Sequence, residues 1–211
     1  MKFRLLILGI LISFGALVSS CRSSSPSVQY YQLHLGATEA PSTVKGVILA
    51  LDTFVIDSAY DDQRMVYRTS LHRLDYYHYH RWSAPPGVLI TDFLREAFVH
   101  QNAFEAVVSG YSTQSHLIQT GRVAALEEVN LEDGRWVARV ILNLQLRNTR
   151  TGAIVWVRQL REEEVMGAQT PEGLAEAVSM ALLRVVETTT PEIIAVGRSL
   201  RVKPQEDQTF P

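Results

Sequence analysis

The sequence predicts an α+β two-layer sandwich: a mostly antiparallel or mixed sheet with two helices packed on one face. Three observations carry this reading. Residues 86–101 and 170–190 each place apolar side chains at helical spacing along a single stripe. Between them, 117–131, 136–146 and 153–163 read as three consecutive strands joined by turn signals, an antiparallel meander. A helix with one apolar stripe has to bury it against a second layer, and a sheet face supplies one.

The chain begins with Lys2 and Arg4, then an almost unbroken apolar run over 5–18, then Ser19-Ser20-Cys21. A charged start, an apolar middle and a small-residue exit are the anatomy of a secretory signal peptide. The run is shorter than the ~20 residues that span a bilayer as a permanent helix. Val18-Ser19-Ser20-Cys21 resembles the lipobox of bacterial lipoproteins. That resemblance implies a signal peptide over 1–20, a diacylglycerol on the Cys21 sulfur, cleavage before Cys21, and acylation of the new amino group with a fatty acid such as palmitate. Two or more acyl chains meet the requirement for stable anchoring without a membrane-spanning helix. Arg22 follows where an aspartate commonly retains such proteins in the inner membrane. By the same resemblance, the expected location is the periplasmic face of the outer membrane. Cys21 is the sole cysteine, so no intrachain disulfide can form.

Residues 21–27 form a short Ser/Pro tether. Residues 28–191 are the folded domain, large enough to bury one core. Residues 192–211 start apolar and turn polar, so a partly disordered tail is expected there.

Within the domain, 28–35 is tyrosine-rich and loosely alternating, a first strand. Residues 44–56 contain a continuous apolar run that suits one central strand covered on both faces. Residues 64–68 and 73–82 read as strands around a polar break. In the second, period two places Leu74, Tyr76, His78, His80 and Trp82 on one face, and Arg73, Asp75, Tyr77, Tyr79 and Arg81 on the other. Pro85 and Pro86 end this strand and open the first helix. Its stripe is Leu89, Ile90, Phe93, Leu94, Ala97 and Phe98. Residues 104–109 read as a short buried strand. Asp133-Gly134 is a tight hairpin signal. After it, Trp136, Ala138, Val140, Leu142, Leu144 and Leu146 alternate with a more polar set. Thr170-Pro171-Glu172 marks the second helix start. Leu174, Val178, Ala181, Leu182, Val185 and Val186 form its stripe, and Pro191 is expected to stop it.

Composition narrows the function. The formal net charge is −2 with acids and bases interspersed, which gives nucleic-acid binding no electrostatic support. His78 and His80 at i and i+2 on a strand share a face, a spacing that suits zinc. A third ligand would come unguided from His34, His72 or His116, and hydrogen-bonded strand histidines are the preferred reading. There is no Gly-x-Ser-x-Gly elbow and no phosphate-cradling glycine loop. Catalytic, cofactor-binding and metal-binding residues are therefore assigned as none. Tyr77, Tyr79, Arg81 and Trp82 are the candidate partner surface, since Tyr and Trp combine buried area with a polar tip.

The stretch from Tyr76 through His80, Arg81 and Trp82 to Pro85-Pro86 leads straight into an amphipathic helix. Together with Tyr30-Tyr31-Gln32-Leu33 behind the lipobox, it resembles the ABC-type transport auxiliary lipoprotein family, which includes a lipoprotein of a paraquat-inducible Mce system. The resemblance implies a non-enzymatic docking component of an intermembrane lipid transporter. Its implied partners are an Mce-domain periplasmic protein and an ABC permease and ATPase, with homo-oligomers among the arrangements it allows. The alternative is an outer-membrane assembly lipoprotein that chaperones a β-barrel or a glycolipid.

Overall fold

The structure, a computed structural model, describes residues 26–36 and 46–202. The signal peptide, Cys21 and most of the tether lie outside the described residues, as does the end of the tail. In chain order the elements are β1 (Gln29–Tyr31), β2 (Ile48–Leu51), β3 (Val55–Ile56), β4 (Arg64–Ser70), β5 (Arg73–Trp82), α1 (Pro86–His100), β6 (Ala106–Ser109), β7 (Leu117–Asn130), β8 (Trp136–Asn148), β9 (Ile154–Val165) and α2 (Pro171–Val202).

The strands form one mixed sheet assembled on β7. On one flank β8 pairs antiparallel with β7, and β9 pairs antiparallel with β8. On the other flank three strands dock in succession along β7, all parallel: β2 with Leu49 opposite Leu117, β3 with Val55 opposite Arg122, and β4 with Tyr67 opposite Glu128. β6 lies outside β2, while β5 and then β1 lie outside β4. The α+β sandwich is as the sequence predicts, with both helices on one face.

The core between the layers joins the α1 residues Ile90, Phe93, Leu94, Ala97 and Phe98 to the α2 residues Leu174, Val178, Ala181, Leu182, Val185 and Val186. Beneath them lie Ala138, Val140, Leu142, Leu144 and Leu146 of β8, the alternating set read from the sequence. Thr170 caps α2 by accepting the Gly173 N–H at 3.1 Å.

Three expectations are corrected. The apolar run over 44–56 is two strands, not one. Phe54 leaves the sheet, and its ring lies over Gly121, where an added Cβ would come within 2.7 Å of it. Its backbone N–H donates to Thr91 Oγ1 of α1 at 2.9 Å, so the break is a plug between helix and sheet.

The second correction concerns β5. Arg64 pairs with Arg81 but Val66 pairs with Tyr76, so two steps on β4 face five on β5. The odd excess inverts the alternation. Tyr77 therefore joins Trp82 against the main core, while Leu74 and Tyr76 pack with Tyr60, Val66 and Ala125 on the opposite face.

Third, α2 does not stop at Pro191; it continues to Val202. Proline removes one helical hydrogen bond. Ile193 beyond it is fully buried, and Gly197 lies so close to Val47 that a Cβ there would meet its side chain at 2.7 Å. Tertiary packing outweighs the local breaker.

Candidate functional site

β5 is long and aromatic because Tyr and Trp suit a half-buried pleated surface. The short edge strand β1 lies beside it, with Gln29 opposite His80 and Tyr31 opposite Trp82. This parallel pairing brings Tyr30 and Tyr31 next to the aromatic strand, which the spacing of the chain alone does not reveal.

The four candidate surface residues have different fates. Trp82 is 1% exposed and belongs to the core; it holds the strand in place and offers no surface. Tyr77 is half-buried, and its phenol donates to Glu128 Oε2 at 2.8 Å. Burial first, then Glu128, pushes that phenol well above its ordinary pKa. Arg81 is half-buried, with an Nε that has no hydrogen-bond partner among the described residues. Tyr79 is 44% exposed, and of the four only it stands open to a partner.

The histidines are fixed rather than gathered. His80 Nδ1 lies 2.8 Å from Tyr31 Oη, which also donates to Gln29 Oε1 at 2.8 Å. A phenol carries one proton, so with that proton on Gln29 the imidazole is the donor. His116 Nδ1 accepts the Ile48 N–H at 3.0 Å, and His78 is exposed. Among the described residues no group of three His, Cys, Asp or Glu is placed to hold a metal ion.

Beside β1 a cleft of about 690 Å³ opens toward α2. Tyr30, 63% exposed, and Tyr31 form one wall; Glu172, Ala175, Glu176 and Met180 form the other. The His34 N–H donates to Ser179 Oγ at 3.2 Å and ties the two walls together. Burial raises the Tyr31 phenol pKa, with a smaller push from Glu172.

The opposite sheet face carries a charge cluster that the sequence analysis did not single out. Glu127 is 2% exposed. It accepts from Tyr60 Oη at 2.7 Å, from Arg68 Nε at 2.9 Å and from Arg139 at 3.3 Å. Burial, then Glu127, pushes the Tyr60 phenol up to about 12. Arg139 also reaches Glu163 at 2.7 Å, and Arg161 joins it. The Glu127-Glu128 pair thus sends one carboxylate to each face of β7. The period-two rule of a strand could have signalled that.

Tyrosines and histidines here are held by one another and by buried acids. The exposed remainder on the β1–β5 edge is apolar-bodied with polar tips, the chemistry of a contact surface. Among the described residues no helix is long and apolar enough to cross a membrane.

Known proteins share this fold. A crystallised protein from Xanthomonas campestris is 19% identical, the match covering 83% of this chain and 100% of that one, with a TM-score of 0.72. A second solved structure, of an uncharacterized protein, is 13% identical over 80% of this chain and 99% of that one, with a TM-score of 0.65. At these identities the likeness is one of fold. No curated protein matches the chain. The family model for the ABC-type transport auxiliary lipoprotein component matches residues 31–189. That span runs from β1 through most of α2, and this chain belongs to the ABC-type transport auxiliary lipoprotein family.

Proposed function

We propose that this protein is a non-enzymatic docking component of an ABC-type intermembrane lipid transport system, held at the periplasmic face of the outer membrane by lipid on Cys21. The family supplies the link to an ABC transporter. The single observation that carries the docking role is the β1–β5 edge. There Tyr30 and Tyr79 stand exposed on a strand pair pinned from behind by Trp82 and the Tyr77–Glu128 bond. Rigid aromatic side chains lose little conformational freedom on binding, which favours them as contact residues.

The partners under this reading are an Mce-domain periplasmic protein and its permease and ATPase. The test is affinity capture of the lipidated protein from solubilised envelopes, with the captured subunits identified by mass spectrometry. Recovery of Mce and permease subunits is the expected result. Recovery of a β-barrel assembly without them transfers the protein to the chaperone class. Mass spectrometry of the mature amino terminus checks the anchor, and an unmodified Cys21 thiol removes it.

A further inference from the structure

β1 runs parallel to β5 with Gln29 opposite His80. The chain therefore enters β1 from the end of the sheet where β5 begins, at the β4–β5 hairpin. β4 is parallel to β7, with Arg68 opposite Val129, so the β7–β8 hairpin closes at that same end. The β8–β9 hairpin, which carries Arg150, lies at the other end beside Leu117. The fourteen residues of β7 separate the two ends by roughly 43 Å at the strand rise.

The tip of the β4–β5 hairpin is Leu71-His72. Turns favour Gly, Asn, Asp and Ser, each for a local backbone reason. Here the turn presents a leucine that is 80% exposed, more than any other large hydrophobic residue among those described. The tip is braced: Arg68 Nη1 donates to the Leu71 carbonyl at 3.1 Å, while its Nε grips the buried Glu127 at 2.9 Å. The Arg73 side chain beside it is 73% exposed, with only a 3.9 Å contact to Asp75.

We infer that this hairpin end rests on the bilayer, with Leu71 at the boundary between headgroups and acyl chains and Arg73 among the phosphates. The inference rests on the reading that Cys21 carries lipid. Cys21 and Gln29 are eight residue steps apart, which reach at most about 26–29 Å when extended. The seven steps of β5 from His80 back to Arg73 cover roughly 23 Å, so the tether is long enough for its anchor to reach the level of the tip. Glu132 and Asp133 on the neighbouring hairpin offset the local bases, and Arg135 pairs with Asp133 at 2.7 Å. The contact is therefore mainly apolar in origin, and salt, which screens only the Arg73 part, weakens it little.

The test uses the full chain, matured in cells and reconstituted in vesicles of phosphatidylethanolamine and phosphatidylglycerol. Lipidation consumes the Cys21 sulfur, so Leu71→Cys supplies one free thiol for a nitrobenzoxadiazole fluorophore. Arg150→Cys supplies the same probe at the far end. Both proteins are first floated on a density gradient, then exposed to spin-labelled phospholipid. The expected result is a blue-shifted probe at position 71 that loses most of its emission to the quencher, in low and high salt alike. The probe at position 150 keeps its emission. Floating protein with equal, water-like emission at both positions, or stronger quenching at 150, overturns the docking and leaves the anchor standing. Protein that does not float overturns both.

Discussion

Tyr77 donates to Glu128 across 2.8 Å and so ties the aromatic strand to the long central strand of the sheet. Glu128 is 1% exposed. Burial raises its carboxyl pKa above the usual range, and the Tyr77 bond opposes this only in part. In the unfolded chain the group returns to its ordinary value. Between that value and the higher folded one, the native state holds the proton that the unfolded state has released. Stability from this group is complete below the unfolded pKa and falls as pH rises through the folded one. The thermal unfolding midpoint should therefore decline as pH rises from the ordinary carboxylate range through the higher folded pKa of Glu128, and Glu128→Gln should flatten that slope. An unchanged slope in the variant removes Glu128 as its source.

Glu127 on the other face is ion-paired to two guanidiniums, from Arg68 and Arg139. Removing it leaves Arg68, Arg139 and the Tyr60 phenol around an empty centre. Breaking one side of a buried pair costs about 3–5 kcal/mol. Both guanidiniums keep some exposure, so Glu127→Ala should fall at the low end, near 3 kcal/mol in urea unfolding. Glu163→Gln, in a more exposed part of the same cluster, should cost less than about 1 kcal/mol. Equal losses would show that the cluster has no buried centre.

Asp62 carries the opposite pH sign. Arg64 donates to it at 3.0 and 2.8 Å through Nε and Nη2, and that grip holds its carboxyl below the ordinary range. Its contribution is present above the unfolded pKa and is lost as pH falls through the folded one. Asp62→Asn should therefore lower stability at neutral pH and cease to matter once the pH has fallen below the folded pKa of Asp62. A deficit that persists in acid would assign the effect to the backbone N–H bond that Asp62 also accepts from Arg64.

Much of the architecture was legible because burial of one face imposes its period on the chain. The stripes of both helices and the alternation from Trp136 to Leu146 follow directly from that constraint. The failures share one cause: a competing contact distant in sequence. Phe54 reads as strand from its neighbours but is drawn out between Gly121 and Thr91. Tyr77 reads as facing away from Trp82 until the bulge against β4 reverses it. Pro191 reads as a helix stop until Ile193 is buried beyond it. The aromatic strand was visible as composition, but its neighbours Tyr30 and Tyr31 were not, since the pairing of β1 with β5 is long-range.

Gln119 is 0% exposed, and neither its Nε2 nor its Oε1 has a hydrogen-bond partner among the described residues. It lies opposite Leu51 on one side and Leu146 on the other, both fully buried. An unpaired buried polar group costs about 1–3 kcal/mol. Gln119→Leu should raise stability by a similar amount, read as a higher unfolding midpoint at unchanged slope. A lower midpoint would mean that the amide is satisfied in solution.

The helix beyond Pro191 is fastened to the sheet by Glu192. Its carboxylate accepts both Arg158 donors at 2.9 and 2.7 Å and the Trp156 indole N–H at 2.8 Å; the Arg158 bonds first, then Trp156, hold its pKa below the ordinary range. Glu192→Ala orphans the indole and should cost about 1 kcal/mol. The sharper readout is local: amide exchange over 192–202 should quicken while the first turns of α2 stay protected. Uniform exchange along the helix would mean that Ile193 and its neighbours hold this segment without Glu192.

Docking and folding can be separated on the β1–β5 edge. Tyr79 is 44% exposed and Tyr30 63%, and neither phenol has a hydrogen bond within the chain among the described residues. Exposed side chains free of such bonds change stability by about 0.5 kcal/mol or less when replaced. Tyr30→Ala with Tyr79→Ala should therefore leave the unfolding midpoint in place. If this edge carries a contact hot spot, the pair should weaken capture of the transporter subunits by about tenfold or more. Tyr77→Phe should do the reverse: it breaks the bond to Glu128 and lowers stability, yet leaves the solvent-facing edge intact and capture close to native. Full capture by the double alanine variant moves the docking surface elsewhere. The cleft walled by Glu172 and Glu176 is then the next place to look, since it shares Tyr30 and Tyr31 with this edge.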